Sequence, residues 1–176
     1  MDRELPLSGG KEVIVDANIF IAIGDPSNSK FTQFRSVVQT AGVVLKLPQR
    51  VIGEVGGRDT YRVQTALDEG WAEIIDASDP TDGDAVAASD IARRTIANMT
   101  DKPEHEVKKT DTILAGLAIQ YVRDCSTSGV IVLTDDKPAK GGIQNAVTAQ
   151  GYTGTIEVYG LADIIGDKSG GSIRLI

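Results

Sequence analysis

The residues best placed to do chemistry in this sequence are acids that directly follow apolar runs. Asp16 closes the run 13–15, and Asp135 and Asp136 follow the run 130–133 with one Thr between. An ionised carboxylate beside a buried strand costs free energy unless it is paired or binds a cation. If the two strands are neighbours in a sheet, their acids meet at the same edge, outside the carboxyl ends of the strands.

Two further acids are candidates for this edge. Asp111 is followed at helical spacing by Leu114 and Ala118, so it lies on the apolar face of a predicted helix. The alternative is that Asp111 lies in the first turn of the helix only because its charge stabilises the helix N-terminus. Glu54 lies in a predicted helix beside Val51 and Val55. The alternative for Glu54 is a solvated acid that points outward.

Several carboxylates around one cleft have a chemical consequence. Like charges repel, so the acids remain ionised together only with a cation between them. The chain has one histidine, His105, and one cysteine, Cys125. Oxygen donors without a supply of His or Cys favour Mg²⁺ or Mn²⁺ over zinc. The acids therefore indicate a magnesium or manganese site. The one His lies in a Pro-Glu-His-Glu loop, so we expect no Ser-His-Asp or Cys-His arrangement.

Strand-like and helix-like segments alternate along the chain, and this alternation predicts how the acids are positioned. The predicted strands are 12–15, 43–45, 72–75, 130–133 and 155–158. The predicted helices are one from Ala17, 29–40, 48–55, 59–69, 85–99, 107–123, 143–149 and 161–165. Such alternation is typical of an α/β fold, with a mainly parallel sheet covered by helices on both faces.

Length and composition are those of one globular domain. A chain of 176 residues can bury a sizeable core, so we expect one domain over residues 1–165 and a flexible C-terminal tail over 166–176. No apolar run approaches the roughly 20 residues of a membrane span. The start Met-Asp-Arg-Glu lacks a signal peptide, and a lone Cys fits a reducing interior. We expect a soluble, cytoplasmic protein that does not bind membranes.

Four segments occur in an order that resembles a known family. They are Val-Asp16-Ala-Asn18, Leu47-Pro48 to Glu54, Asp111 within a helix ending in Leu-Ala, and Leu133-Thr-Asp-Asp-Lys137. Their order and spacing match the family over roughly residues 12–158. In this order the sequence resembles the PIN-domain family of metal-dependent ribonucleases, which includes VapC-type toxins. The resemblance implies a three-layer α/β/α sandwich with a central, mainly parallel sheet.

The resemblance also implies roles for individual residues. The implied quartet of catalytic acids is Asp16, Glu54, Asp111 and Asp136. The implied direct ligands of Mg²⁺ or Mn²⁺ are Asp16, Asp111 and Asp136. Glu54 is implied to be a ligand or to position the attacking water, with Asn18 and Thr134 as supporting polar groups. The family usually reads Thr-x-Asp after the late strand, which favours Asp136, and Asp135 is the alternative fourth ligand.

The sequence departs from a minimal toxin of this type in two places. An extra helix and an acidic loop, residues 76–106, precede Asp111. The aromatic residue that often follows the last acidic motif is replaced by Pro138-Ala-Lys-Gly-Gly. The Thr-Asp-Asp segment followed by Ile143-Gln-Asn145 resembles the PIN endonuclease that matures small-subunit ribosomal RNA, although no Cys-x-x-Cys ribbon follows. These departures weigh against a toxin more than against a nuclease.

The resemblance implies an endoribonuclease that hydrolyses phosphodiester bonds, either a toxin of a toxin–antitoxin pair or an RNA-processing enzyme. The implied partners are RNA, an antitoxin protein and a second copy of the chain in a homodimer. Because the net charge is −7, RNA must be held by a local basic patch. The candidate phosphate contacts are Lys137 and Lys140, just beyond Asp136, with Lys108, Lys109, Arg93 and Arg94. A solvated surface position is the alternative for the two arginines.

Two other classes of protein remain alternatives. One is a PIN fold that has lost activity and serves as a binding or scaffold module for RNA or protein. The other is a receiver or a haloacid-dehalogenase-like phosphatase, in which an Asp would be phosphorylated. The phosphatase needs Asp-x-Asp after the first strand, and position 18 is Asn. The composition, with 17 Asp among 25 acids, resembles that of proteins of salt-loving archaea, so we expect an archaeal source, and the alternative is an ordinary acidic cytosolic protein.

Overall fold

A single sheet of five parallel strands forms the centre of the protein. The structure is a computed structural model, which describes residues 6–55, 60–125 and 127–166. The strands are β1 (Lys11–Val15), β2 (Leu45–Pro48), β3 (Ala72–Ile75), β4 (Gly129–Leu133) and β5 (Ile156–Tyr159). They lie in the order β3-β2-β1-β4-β5, and every neighbouring pair is parallel. The chain builds outward from β1 in one direction and from β4 in the other, so β1 and β4 flank the switch point.

Helices cover both faces of this sheet. They are α1 (Ala17–Ile23), α2 (Ser29–Ala41), α3 (Gln49–Glu54), α4 (Thr60–Asp68), α5 (Gly83–Thr100), α6 (Lys109–Asp124), α7 (Lys137–Gln150) and α8 (Leu161–Ile165), with a short 3₁₀ helix at Glu104–Glu106. One core packs α1 to α4 and α8 on one face, and a second core packs α5 to α7 on the other. The predicted three-layer α/β/α fold is confirmed, and the described strands are all parallel.

The alternation of side chains along β1 produces the two cores. Val13 and Val15 point into the first core, and Ile14 points into the second. All three are fully buried, as expected for a parallel strand with helices on both faces. The register of β1 with β4 pairs Val15 with Leu133, so the residues that follow these two positions emerge side by side.

Aromatic packing fixes α1 against the sheet. The ring of Trp71 stacks on Phe20 of α1 at a centroid distance of 6.3 Å, and Phe31 and Phe34 of α2 meet it edge-on. Such pairs add roughly 0.5–1.5 kcal/mol each beyond the burial of their surface. The helix that begins directly after Asp16 is therefore held in one position.

Two element boundaries differ from the sequence prediction. Strand β2 runs from Leu45 to Pro48 and not from 43 to 45, because Leu45 pairs with both Val13 and Ala72. Pro48 ends the strand and does not lie in the first turn of α3. Helix α7 begins six residues before the predicted start at 143, since Asp136 caps it and Pro138 suits its first turn.

The predictions about the C-terminal tail and about membrane spans have separate outcomes. The tail expected over 166–176 lies outside the described residues, apart from Gly166. Among the helices of the described ranges, none combines the length and the apolar character needed to span a membrane.

The two adjacent glycines of α7, Gly141 and Gly142, have different surroundings. A Cβ on Gly142 would lie 3.0 Å from the backbone oxygen of Ala92 in α5, so this glycine permits close packing of the two helices. A Cβ on Gly141 would instead meet the sulfur of Met99, the end of a flexible and exposed side chain. Only Gly142 is therefore required for the contact that fixes α7, the helix that Asp136 caps.

We predict that Gly142→Ala destabilises the protein and that Gly141→Ala does not. Overpacking against the backbone should lower the free energy of unfolding by about 1 kcal/mol or more at position 142. At position 141, Ala should be neutral or stabilising by up to about 1 kcal/mol, because it favours the helix more than Gly. Denaturant unfolding of both variants measures the difference, and equal stability of the two would contradict this account of the packing.

Candidate active site

The carboxylate of Asp16 lies at the carboxyl end of β1, where it is 3% exposed. Its backbone N–H donates to Leu133 O at 2.9 Å, which continues the pairing of β1 with β4 by one residue. Its Oδ1 accepts from the backbone N–H of Ala17 at 2.7 Å, so it is also the N-cap of α1. Burial raises the pKa of Asp16 and the hydrogen bonds lower it, and the net shift is upward.

Two polar side chains complete the surroundings of Asp16. The hydroxyl of Thr134 donates to Asp16 Oδ2 at 2.8 Å, and the amide of Asn18 donates to the same oxygen at 3.0 Å. Asn18 Oδ1 in turn accepts from the backbone N–H of Asp135 at 3.1 Å. The two residues named from the resemblance as supporting groups thus connect Asp16 to the loop after β4.

The two acids of that loop point to different places. Asp136 caps α7, where its Oδ1 accepts from the backbone N–H of Ala139 at 3.0 Å, and its charge raises the pKa of Asp16. Asp135 Oδ1 accepts from the backbone N–H of Leu161 at 2.8 Å and so fixes the start of α8. The two successive side chains point in different directions. Asp136 faces the other candidate acids, and Asp135 binds the start of α8.

Asp111 faces the same site from the first turn of α6. Its carboxylate is partly buried and accepts no hydrogen bond from any residue in the described ranges. Burial is the largest cause that raises the pKa of Asp111, followed by the charges of Asp16, Asp136 and Glu54, and together they raise it from 3.8 to about 7. The nearby charge of Lys108 opposes this shift but does not cancel it. Asp111 is therefore the acid with the least compensation in the cluster.

Glu54 reaches the site from the last residue of α3 and is exposed. The hydroxyl of Thr110, a buried residue of α6, donates to Glu54 Oε1 at 2.6 Å. This bond joins α3 to α6 across 56 positions of sequence. Thr110 was missed as a site residue by sequence reasoning, because nothing local to it indicates that α3 lies opposite.

The structure thus brings the four acids named from the resemblance within electrostatic reach of one another. Within the described part of the chain, however, no three His, Cys, Asp or Glu side chains are grouped closely enough to hold a metal ion as they stand. Three of the four carboxylates are instead engaged by hydrogen bonds from Ala17, Ala139 and Thr110. The chemistry of the donors, carboxylate oxygens with an excess of negative charge, fits a hard divalent cation such as Mg²⁺ or Mn²⁺.

The candidate phosphate contacts fall into two groups, one in a groove beside Glu54 and one at the start of α7. Lys108 and Lys109 line an open groove of about 520 Å³ together with Glu54 and with Arg50, which the sequence analysis did not name. Lys137 and Lys140 lie in the first turn of α7, directly after Asp136. In α5, Arg93 pairs with Asp90 at 2.9 Å and Arg94 is exposed. Both observations agree with the alternative interpretation of the two arginines as solvated surface residues.

We predict that Asp111→Asn stabilises the metal-free protein above pH 7. Because the folded pKa is about 7 and the ordinary value is 3.8, the folded state retains a proton that the unfolded state loses between those values. Stability should therefore fall as the pH rises from about 4 to about 7 and stay level above. Asn does not titrate, so the melting temperature of the variant should exceed that of wild type by an amount that grows over this range.

Thermal melts in a chelator at fixed ionic strength measure this difference across the pH range. Asp90→Asn, at an exposed ion pair on α5, is the control for removing one acid elsewhere. A variant that melts below wild type at pH 8 would show that Asp111 serves the fold as a helix N-terminal acid.

The family model described as the Halobacterial PIN domain matches residues 9–172, nearly the whole chain. No curated protein matches the chain. PIN domains are generally nucleases and typically use divalent metals, so the family suggests a nuclease-type function. The predicted resemblance is thereby confirmed, including its archaeal source, and the chain belongs to the family of halobacterial PIN domains.

Proposed function

We propose that the protein is an endoribonuclease that hydrolyses RNA phosphodiester bonds with Mg²⁺ or Mn²⁺. The observation that carries the proposal is the convergence of four carboxylates from separate elements at the switch point, with Asp111 left half-buried and uncompensated. Acids whose pKa values are strongly shifted by burial and by neighbouring charges cluster at functional sites. A divalent cation is the group that would relieve their repulsion and accept a phosphate.

In this proposal Asp16, Asp111 and Asp136 hold the cation. The bound cation supplies neutralisation of phosphate charge and activation of a water for in-line attack. Thr134 and Asn18 orient the carboxylate of Asp16, since both donate to its Oδ2, and the bond from Thr134 lowers the pKa of Asp16 against the effect of burial. At neutral pH Asp111 carries a proton part of the time, and Asp111 would give up that proton on binding a cation.

Glu54 has a different part in this proposal. Its carboxylate is exposed at the edge of the groove, so it can accept a proton from a water beside the scissile phosphate. Thr110 occupies one oxygen of that carboxylate and leaves the other for the water. We therefore assign Glu54 to positioning the water, with Thr110 as the residue that positions Glu54.

A PIN fold that binds partners without cleaving them is the second candidate. The observation in its favour is that no three potential ligands in the described ranges stand at metal-binding separation. The two candidates differ in one measurement, the Mn²⁺-dependent cleavage of RNA by purified protein. Toxin and RNA-processing roles share this reaction, and an antitoxin gene beside this one would favour the toxin.

We predict that Asp16→Asn and Asp136→Asn each reduce Mn²⁺-dependent RNA cleavage by more than about 100-fold. Each change removes a charged donor at constant size, and even outer-shell changes typically cost about 10- to 100-fold. Asp135→Asn should retain activity within a few fold, because its carboxylate accepts from the backbone N–H of Leu161 at the start of α8. Cleavage of a labelled RNA by the three variants measures the order, with chelator as the control for contaminating nuclease.

The same variants have a readout that does not depend on cleavage. Mn²⁺ should raise the melting temperature of wild type and of Asp135→Asn, and should raise that of Asp136→Asn less, because the folded state alone binds the ion. If Asp135→Asn is the more damaged variant in both assays, Asp135 is the ligand in place of Asp136. If Mn²⁺ stabilises none of them and RNA stays intact, the binding-module candidate is correct.

We predict that Thr110→Val lowers kcat by about 10- to 100-fold with little change in KM, because it frees Glu54 without removing a substrate contact. Thr110→Ser should restore activity, since it keeps the hydroxyl. Thr112→Val is the matched control: Thr112 is equally buried in the same helix turn, but its hydroxyl donates to the backbone oxygen of Lys109. Equal losses from Thr110→Val and Thr112→Val would show a packing effect and no role in positioning Glu54.

A further inference from the structure

The groove beside Glu54 contains a concentration of positive charge that the fold does not use. Its lining residues are Ile21, Arg50, Glu54, Lys108, Lys109 and Thr110. Three of these six are cations, although the protein as a whole carries a net charge of −7. They come from α3 and from the start of α6, two elements that are distant in sequence and meet at the Thr110–Glu54 hydrogen bond.

These three cations have no ion-pair partner in the described ranges. Some cations elsewhere on the surface are paired, such as Lys11 with Glu157 and Arg123 with Asp82 and Asp84. An acidic protein has ample carboxylates for pairing, so a cluster left unpaired concentrates positive potential at one place. That potential attracts a polyanion to a groove whose edge is the candidate active site.

We propose that this groove binds the phosphodiester backbone of a single-stranded polynucleotide on the Glu54 side of the scissile bond. The identification of that strand as RNA substrate rests on the proposed function, whereas the phosphate binding rests on the groove itself. Arg50 supplies a planar fork that can hold a phosphate through two hydrogen bonds. Lys108 and Lys109 supply two point charges directly before Thr110 and Asp111.

Two observations favour a nucleic acid over an acidic protein segment. The groove is continuous with the acids, because Glu54 and Thr110 belong to both. A strand held there would continue across the acids toward Lys137, at the start of α7. Ile21 is also 48% exposed and lines the groove, so it offers an apolar surface for the face of a base.

The experiment measures binding of a fluorescent single-stranded RNA by anisotropy in chelator, where cleavage does not occur. Titrations run over the KCl range in which thermal melts show each protein folded. Each phosphate contact on a single strand contributes about 0.7 to the slope of log affinity against log salt. Arg50→Ala with Lys109→Ala should therefore weaken binding and reduce the slope by about 1.4, twice the contribution of one contact.

The matched control removes the same charge from outside the groove. Lys30→Ala with Lys102→Ala also deletes two positive charges, from residues that do not line the groove. This variant should retain the wild-type slope. Lys108→Ala is measured separately, because Lys108 also affects the pKa of Asp111.

The outcomes separate this inference from the proposed function. Equal slopes for the groove variant and the control variant would overturn it, even if the protein cleaves RNA. A smaller slope for the groove variant alone would uphold it, even if no cleavage is found with Mn²⁺. If wild type does not bind the RNA but binds poly-glutamate in a manner that needs Arg50, the groove is a protein-docking surface and the inference is wrong.

Discussion

The buried carboxylate of Asp16 is the constraint on which the rest of the site depends. Desolvation at the end of β1 favours its protonated form, and hydrogen bonds from Ala17, Thr134 and Asn18 favour the charged form. The bond from Thr134 requires β1 to lie beside β4, with Val15 opposite Leu133. The strand order therefore also positions the site, because it places the hydroxyl of Thr134 against the carboxylate of Asp16.

Clustering four acids at a single edge is tolerable because of where they lie on their helices. Asp16 and Asp136 are the N-caps of α1 and α7, and Asp111 is in the first turn of α6. Helix N-termini present unpaired N–H groups and a partial positive charge, which stabilise an acid in such positions. Glu54 lies at the opposite end of its helix, where the dipole opposes it. The hydroxyl of Thr110 supplies the donor that this helix end cannot.

The features that could be predicted from the sequence are those whose cause lies within a short stretch of chain. The ends of two apolar strands and the apolar face around Asp111 are visible in short windows, so three of the four acids could be predicted to meet. The Thr110–Glu54 bond and the charge of Arg50 beside Lys109 depend on the meeting of α3 with α6, which no short window contains. The start of α7 was missed because the close contact of Gly142 with α5 is a tertiary contact, which the sequence around Gly141 and Gly142 does not show.

Asp111 gives the clearest physical reason to regard this edge as more than a structural feature. Thr110 and Thr112 flank it, are buried and have hydrogen-bond partners, so the start of α6 is satisfied without a carboxylate that accepts no bond from the described residues. An uncompensated acid whose pKa is raised to about 7 weakens the fold above that pH. Local features that cost stability without serving packing are expected where a ligand restores the balance. A divalent cation among Asp16, Asp111 and Asp136 would do so, because it would turn the repulsion of the three carboxylates into attraction toward one charge.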